Sequence, residues 1–346
     1  MTRPTDRRMA LRLLAAPATA ALPPLIAAPA LMTVARPTLA QAKRKISYAY
    51  LLDPAYDAVT WAMRTGRIAS RSIEVEARGI AIPQLIQATA ARQYDAIMTA
   101  VIALPAAEKR GLKLRVLATA LQAAEAGEGG GVWVAKDSPI RSAADLKGKT
   151  LGSYALRSTG YTQVRIALAG KHRLNMALEG GDLRQVEIQA PNLPGALSSG
   201  QIDAATLIHA QAFKAMQAGD FRVVAETARD NIETYRMRFI SALNVSYPEK
   251  LEKDPDAFAE FSRLFKASSD YVLAHPDEVF AAVAAQSRID PAFFRWWFEK
   301  SSVVPGVFTE THAQTIMKFF ELSRELGMLK DFPDIRTLVW DRAPKA

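Results

Sequence analysis

The sequence predicts an α/β protein whose two lobes face a common cleft, and three observations carry that expectation. Strand-like and helix-like patterns alternate from Ile46 to Leu121 and again from Val132 to Glu226, the order that parallel pairing through helical crossovers produces. A glycine-rich break, Gly127-Glu128-Gly129-Gly130-Gly131, separates the two series and marks a crossover or a loop at the cleft mouth. The two series also share a faint repeat. Ala88-x4-Gln93-Tyr94-Asp95-Ala96 matches Ala196-x4-Gln201-Ile202-Asp203-Ala204, each closing a helix and opening a short apolar strand.

Export comes first in the chain. Arg3, Arg7, Arg8 and Arg12 precede an Ala/Leu-rich run from Leu13 to about Val34, and Ala40-Gln41-Ala42 supplies the small-x-small pattern of a signal-peptidase site. Residues 1–42 therefore read as a cleavable signal peptide. Asp6-Arg7-Arg8-Met9-Ala10-Leu11-Arg12 resembles the twin-arginine export motif, with Ala10 where that motif has Phe and Arg12 where it has Lys, so the Tat and Sec routes both fit. A permanent membrane anchor is disfavoured, because Pro17, Pro23, Pro24 and Pro29 interrupt the run and alanine is weakly hydrophobic.

Composition agrees with export. The 346 residues contain no cysteine, which excludes a lipidated cysteine, a disulfide, a thiolate metal site and a thiol nucleophile. Five arginines and one aspartate in 1–42 carry four of the nine net positive charges, so the mature chain keeps +5. That excess suits anionic ligands or solubility; no Lys/Arg run interleaved with aromatics points to nucleic acid. About 304 residues remain from Lys43, and at roughly 100–200 residues per domain they make two domains.

In the first lobe Ile46 to Leu52 reads as a strand. Asp53-Pro54 then gives an N-cap followed by proline at the first helical position, opening a helix to Gly66. Ser72 to Ala77 is a strand, Ile82 to Arg92 a helix, Asp95 to Thr99 a short buried strand, Pro105 to Arg110 a helix and Leu112 to Leu121 a strand. Beyond the glycines the strands are Val132 to Lys136, Lys149 to Tyr154, Leu183 to Gln189, Asp203 to Ile208 and Phe221 to Glu226. Arg236 to Val245 is a further strand-like run. The rest is helical: Pro255 to Ala274, Pro276 to Ser287, Pro291 to Lys300 and Thr309 to Leu329, three of them with proline in the first turn. Residues after Asp331 read as a loosely held tail.

One stretch organises the second lobe: Ala144-Asp-Leu-Lys-Gly-Lys-Thr-Leu-Gly-Ser-Tyr-Ala-Leu-Arg-Ser-Thr-Gly160. A helical turn ends at Gly148, a strand follows, and Ser158 or Thr159 caps a helix continued by Tyr161 to Leu168. The first amides of a helix lack internal partners and carry partial positive charge, so such a turn can hold a carboxylate, sulfonate or nitrate. Arg157 stands beside it. A phosphate-loop reading fails, since Ala143 occupies the position where Gly148-Lys149-Thr150 would need a glycine.

Ser142-Ala-Ala-Asp-Leu-Lys-Gly-Lys-Thr-Leu-Gly152, followed by the Ser/Thr-Gly turn, resembles the second-domain opening of periplasmic solute-binding proteins of ABC importers, nearest the nitrate, sulfonate, taurine and thiamine-precursor group. The resemblance runs as an ordered series of elements over roughly residues 46–300. It implies the type II periplasmic-binding fold: each lobe a mixed, mostly parallel sheet flanked by helices, with the ligand cleft between them. Lobe 1 would comprise 43–122 and 241–346 and lobe 2 residues 123–240, with Arg236 to Val245 as the return crossing. The implied function is periplasmic capture of a small anionic solute and its delivery to an inner-membrane permease, by a monomer without cofactor. Related thiamine-pyrimidine synthases carry a cysteine-rich motif that this chain lacks, which disfavours an enzyme; the alternatives are a thiamine-pyrimidine-precursor binder or related enzyme, or a sensory ligand-binding module.

The same resemblance draws ligand contacts from strand ends and helix starts. On the first lobe these are Leu52, Tyr56, Gly79, Ile80, Thr99 and Ala100, with Asp53 assigned as a cap. On the second they are Ser153, Arg157, Ser158, Thr159, Asn192, His209 and Tyr235. Ser158, Thr159 and Thr99 lead, because amides and hydroxyls suit an oxyanion without burying an unpaired charge. Arg157 reads either as ligand contact or as solvated, and His209 either as ligand contact or as a helix-start residue satisfied by backbone.

Catalysis and metal binding find no motif. His172, His209, His275 and His312 are scattered, without a His-Glu-x-x-His pair, and no Gly-x-Ser-x-Gly elbow occurs. Phe293, Phe294, Trp296, Trp297 and Phe298, five aromatics on one short helix, read as packing against a lobe rather than as a binding surface.

Overall fold

Strand and helix alternate from the start of the described chain, and the alternation builds the first of two sheets. A computed structural model describes residues 43–345; the signal-peptide expectation for 1–42 lies outside the described residues. Strand β1 (Arg44–Leu51) leads through Asp53 into α1 (Pro54–Arg64), then β2 (Ile73–Ile80), α2 (Ile82–Ala90), β3 (Ala96–Ala100), α3 (Leu104–Lys109) and β4 (Arg115–Ala123). The side-chain alternation of a strand divides the core in two. Ile46, Tyr48 and Tyr50 of β1 face one apolar cluster with α1 and the later helices, while Ala49 faces the other.

The chain crosses at Ala124 to Gly130 and enters the second sheet as β5 (Gly131–Ala135). Gly129 is required there: its φ of +82° suits glycine, and a Cβ would stand 2.5 Å from the Trp296 ring that lies over the crossing. A 3-10 turn at Ala143–Leu146, closed by Gly148 at φ +75°, precedes β6 (Thr150–Ser153). Then come α4 (Thr159–Gly170), β7 (Arg184–Glu187), α5 (Leu193–Ser198), β8 (Ala204–Leu207), α6 (Ala210–Ala218), β9 (Phe221–Ala225) and α7 (Thr227–Tyr235). The chain returns as β10 (Ile240–Ser246) and continues as α8 (Pro248–Lys253), α9 (Pro255–Ala274), α10 (Pro276–Ser287), α11 (Pro291–Trp296), β11 (Ser302–Val303) and α12 (Glu310–Glu325).

The sheet orders are β11-β4-β10-β3-β1-β2 and β7-β6-β8-β5-β9. Four of six strands run one way in the first and four of five in the second, the mixed, mostly parallel arrangement. Both crossing strands run against the majority. β10 enters with Ile240 beside Gln122 and Ala242 beside Ala100, and β5 enters with Gly131 beside Leu207. A chain arriving from the other sheet meets the carboxyl ends of the parallel strands first, so it must run antiparallel to them.

The internal repeat has one structural meaning. Asp95 Oδ2 accepts from Ser47 N at 2.9 Å and Asp203 Oδ2 from Thr150 N at 2.8 Å. Each aspartate ties the strand it opens to its parallel neighbour, β3 to β1 and β8 to β6.

Several expectations are corrected. The return strand begins at Ile240, because Arg236 closes α7 in a left-handed conformation at φ +55°. The aromatic helix turns π-helical over Trp297–Ser301. Phe293, Phe294 and Trp297 are core, whereas Trp296 also packs on Phe213 of α6, ring centroids 5.7 Å apart. The segment after Asp331 is no loose tail: Ile335, Leu338 and Trp340 are buried, and Trp340 N donates to Val116 O at 3.0 Å.

Candidate functional site

The carboxyl ends of the parallel strands in both sheets open onto one cavity of about 870 Å³, the position where open α/β sheets bind ligands. From the first sheet it takes Thr99 and Ala100 at the end of β3 and Leu121 and Gln122 at the end of β4. From the second it takes Thr206 and Leu207 of β8, His209, and the loop and helix start from Tyr154 to Thr159. Its lining is predominantly apolar.

The start of α4 is shaped by local chemistry. Ser158 is the N-cap: its Oγ accepts from Tyr161 N at 3.2 Å and donates to Ala155 O at 2.9 Å. Thr159 Oγ1 accepts from Ile102 N at 3.1 Å, a bond that spans from the first sheet's side to the second's. The Thr159 and Gly160 amides have no partner among the described residues, as the first amides of a helix require something external. Arg157 is exposed at the cavity rim.

One turn further along α4, Gln163 is bonded through both ends of its side-chain amide. It donates to Ile240 O at 3.1 Å and accepts from Ser241 Oγ at 3.2 Å. Its own carbonyl fixes Asn231 Nδ2 at 2.9 Å, which leaves the buried Asn231 Oδ1 unpaired at the cavity wall. Glu226, one residue before α7, also has an unpaired buried oxygen; burial pushes its carboxyl above the usual range, against the pull of Arg229.

His209 stands on strained backbone at φ +46° and ψ −119°, a region non-glycine residues rarely occupy. That geometry turns its ring toward Asp53, and Nδ1 lies 2.6 Å from Asp53 Oδ2. Asp53 Oδ1 meanwhile caps α1 by accepting from Ala55 N at 2.8 Å. The His209 and Trp297 rings meet edge to face, centroids 5.8 Å apart. Burial pulls the His209 pKa down, but the Asp53 charge and hydrogen bond outweigh it, and the net shift is upward from 6.5.

The structure thus brings Thr99, Ala100, Arg157, Ser158, Thr159 and His209 of the sequence-derived set around one cavity. The other seven lie off its lining. Leu52 points to solvent at 63% exposure, and its neighbour Leu51 faces inward instead. Tyr56 sits one turn into α1, fully buried, with its hydroxyl on Ala120 O at 3.2 Å. Gly79 and Ile80 end β2 at the sheet edge, where Gly79 packs on Leu52 and Tyr50. Ser153 is buried and accepts from Thr206 Oγ1 at 3.0 Å. Asn192 is exposed in a 3-10 turn, and Tyr235 ends α7 against Phe239. Sequence reasoning missed Gln163 and Asn231, although Gln163 falls four residues after Thr159 on the same helix face.

Among the described residues no group of three His, Asp or Glu side chains is placed to hold a metal ion, and no helix is long and apolar enough to cross a membrane.

Solved structures share the architecture. SsuA of Escherichia coli, described as a periplasmic aliphatic sulphonate binding protein, superposes with a TM-score of 0.68 at 14% identity over 88% of this chain and 94% of its own. The alkanesulfonate-binding SsuA of Xanthomonas axonopodis pv. citri, bound to MOPS, gives 0.66 at 15% identity over 86% and 98%. A ligand-binding component of an ABC-type import system from Staphylococcus aureus gives 0.66 at 13% over 86% and 97%. These likenesses establish a shared fold, that of the periplasmic binding proteins. Comparison with curated protein sequences gives no match. The family model described as NMT1/THI5 like matches residues 81–279, more than half of the chain, and the protein therefore belongs to the NMT1/THI5-like family.

Proposed function

We propose that the protein is the substrate-binding component of an ABC importer, which captures an anionic solute in the periplasm and delivers it to a membrane permease. The observation that supports this best is the cavity itself, walled on both sides by strand ends and helix starts and bridged by Asp53–His209 and Ile102–Thr159. Two lobes, 43–122 with 241–346 and 123–240, close on the ligand about the crossings at Ala124 to Gly130 and before β10. A ligand drives closure only by the difference in its affinity for the two states.

In this reading the acid group takes the free amides of Thr159 and Gly160, with Thr99 and Arg157 beside it. The sulfonate ligands named for the similar solved structures agree with an anion. A chain without cysteine lacks the motif of the thiamine-pyrimidine synthases, so capture without turnover is the assignment. Export to the periplasm through a signal peptide in 1–42, and a monomeric working state, belong to the same proposal.

A thermal-shift panel of nitrate, taurine, alkanesulfonates and aryl carboxylates, with neutral and cationic compounds of similar size beside them, tests it. A ligand at 100-fold over its Kd adds about 2.7 kcal/mol of stability, a rise of several degrees. Stabilisation by neutral or cationic compounds alone overturns the anion assignment, and chemical turnover of a hit overturns the binding-only reading.

A further inference from the structure

The cavity does not stop at the cleft. It continues as a gallery between α2 and α3, past Leu85, Thr89, Ala103 and Ala107, to Leu112 and Leu114 just before β4. Leu121, near the opposite end of β4, lines the same cavity. At about 3.3 Å per residue the distance from 114 to 121 is about 23 Å. The gallery walls are alanine, leucine and isoleucine, and the one hydroxyl among them, Thr89 Oγ1, already donates to Leu85 O at 2.8 Å. Arg110 stands only at the exposed rim.

The polar groups gather at the cleft end. There the Thr159 and Gly160 amides are free, beside the side chains of Thr99, Gln122 and Ser158. One end of the space is therefore polar and the other, over about the length of a strand, is apolar apart from the Thr89 hydroxyl and Arg110 at its rim.

We propose that the ligand is an elongated amphipathic organic anion, with its acid group at the start of α4 and its apolar tail in the gallery between α2 and α3. The proposal rests on the binding-protein reading above and names the class of its ligand. At about 870 Å³ the cavity lies in the upper part of the roughly 300–1,000 Å³ range that holds drug-sized ligands. Nitrate or taurine would leave most of it to water against apolar walls. A tail removes that apolar surface from water, while a polar body in the gallery would lose its hydration without a partner.

The experiment is a calorimetric titration of the purified protein, freed of co-purified ligand by unfolding and refolding. Straight-chain sulfonates and carboxylates from ethyl to decyl are used, each below its micelle-forming concentration. Affinity is expected to rise about fourfold per added methylene, the equivalent of about 0.8 kcal/mol each, until the gallery is full. Ala107→Phe, which narrows the gallery midway, is expected to make the series level off at a shorter chain. Short members binding as tightly as long ones, or nitrate or taurine binding tightest, overturns the proposal while leaving anion capture intact. Failure of every anion, short or long, overturns both.

Discussion

Asp53 Oδ2 and His209 Nδ1 meet at 2.6 Å, joining the turn after β1 to the turn after β8. The two residues stand 156 positions apart in sequence and on different sheets. Asp53 divides its carboxylate between two duties, one oxygen capping α1 and the other holding the imidazole. The strained backbone of His209 stands at one end of this bond, and in the closure proposed above the pair is a latch between the lobes.

Replacing Asp53 by Asn separates the duties. Asparagine caps a helix as well as aspartate does, so any fall in the melting point without ligand reports the bond to His209 and not the cap. The charge-assisted bond, of about 1.5–3 kcal/mol, is lost. Ligand affinity should fall about tenfold or more, measured by calorimetry, with small-angle scattering reporting a more open mean shape. Unchanged affinity would remove the latch role.

The same pair predicts a pH dependence. In this structure the His209 pKa lies above 6.5, and in the opening proposed above the exposed ring returns toward about 6.5. The latch is therefore at full strength below about 6.5 and weakens as pH rises through the raised value. The ionisable groups at the pair are Asp53 and the Tyr56 hydroxyl, and burial keeps Tyr56 neutral by pushing it well above the usual phenol range. Affinity should decline as pH rises above about 6.5 in the wild type and decline less in Asp53→Asn, as read by titrations at increasing pH.

Ser158 and Thr159 should separate where the sequence groups them. Ser158→Ala removes the α4 cap and should cost about 1 kcal/mol of stability without ligand, seen in chemical denaturation. Thr159→Val removes only the acceptor for Ile102 N, leaves the amide, and should weaken binding with little change in that denaturation midpoint. Equal melting points for both variants would contradict the capping assignment of Ser158.

Trp340→Ala tests the C-terminal segment. The ring is buried against the first lobe and its amide bonds to β4, so the substitution should cost about 3–5 kcal/mol. A truncation after Asp331 should be at least as damaging. A neutral truncation would mean the segment contributes nothing to the fold.

Local chemistry made most of the fold legible. Asp53-Pro54, Ser158 at the head of α4, and the prolines opening α9, α10 and α11 each name a helix start by a bond or a fixed φ within three residues. The repeat was legible too, because the same aspartate clamp recurs at Asp95 and Asp203. α7 was hidden because only Ala228, Ile232 and Tyr235 of Thr227–Tyr235 are apolar, so that the helical spacing of these three is a weak signal among polar residues. The buried C-terminal segment was hidden by the charges and prolines among Ile335, Leu338 and Trp340. In the site, Thr99, Thr159 and His209 could be placed because they terminate or start elements. Tyr56 could not, because one turn into a helix already points a side chain into the core, and the Asp53–His209 pair leaves no trace in spacing.

The placement of β10 between β3 and β4 bears on how the chain matures. Until Ser246 has emerged, β3 and β4 lack the neighbour that joins them, and each presents a bare hydrogen-bonding edge. The N-terminal third cannot complete its own sheet by itself, and its closing strand arrives only after the whole second sheet has been made. Completion of the first sheet is thereby postponed until synthesis is well advanced, and through that interval the bare edges of the growing chain are open to self-association.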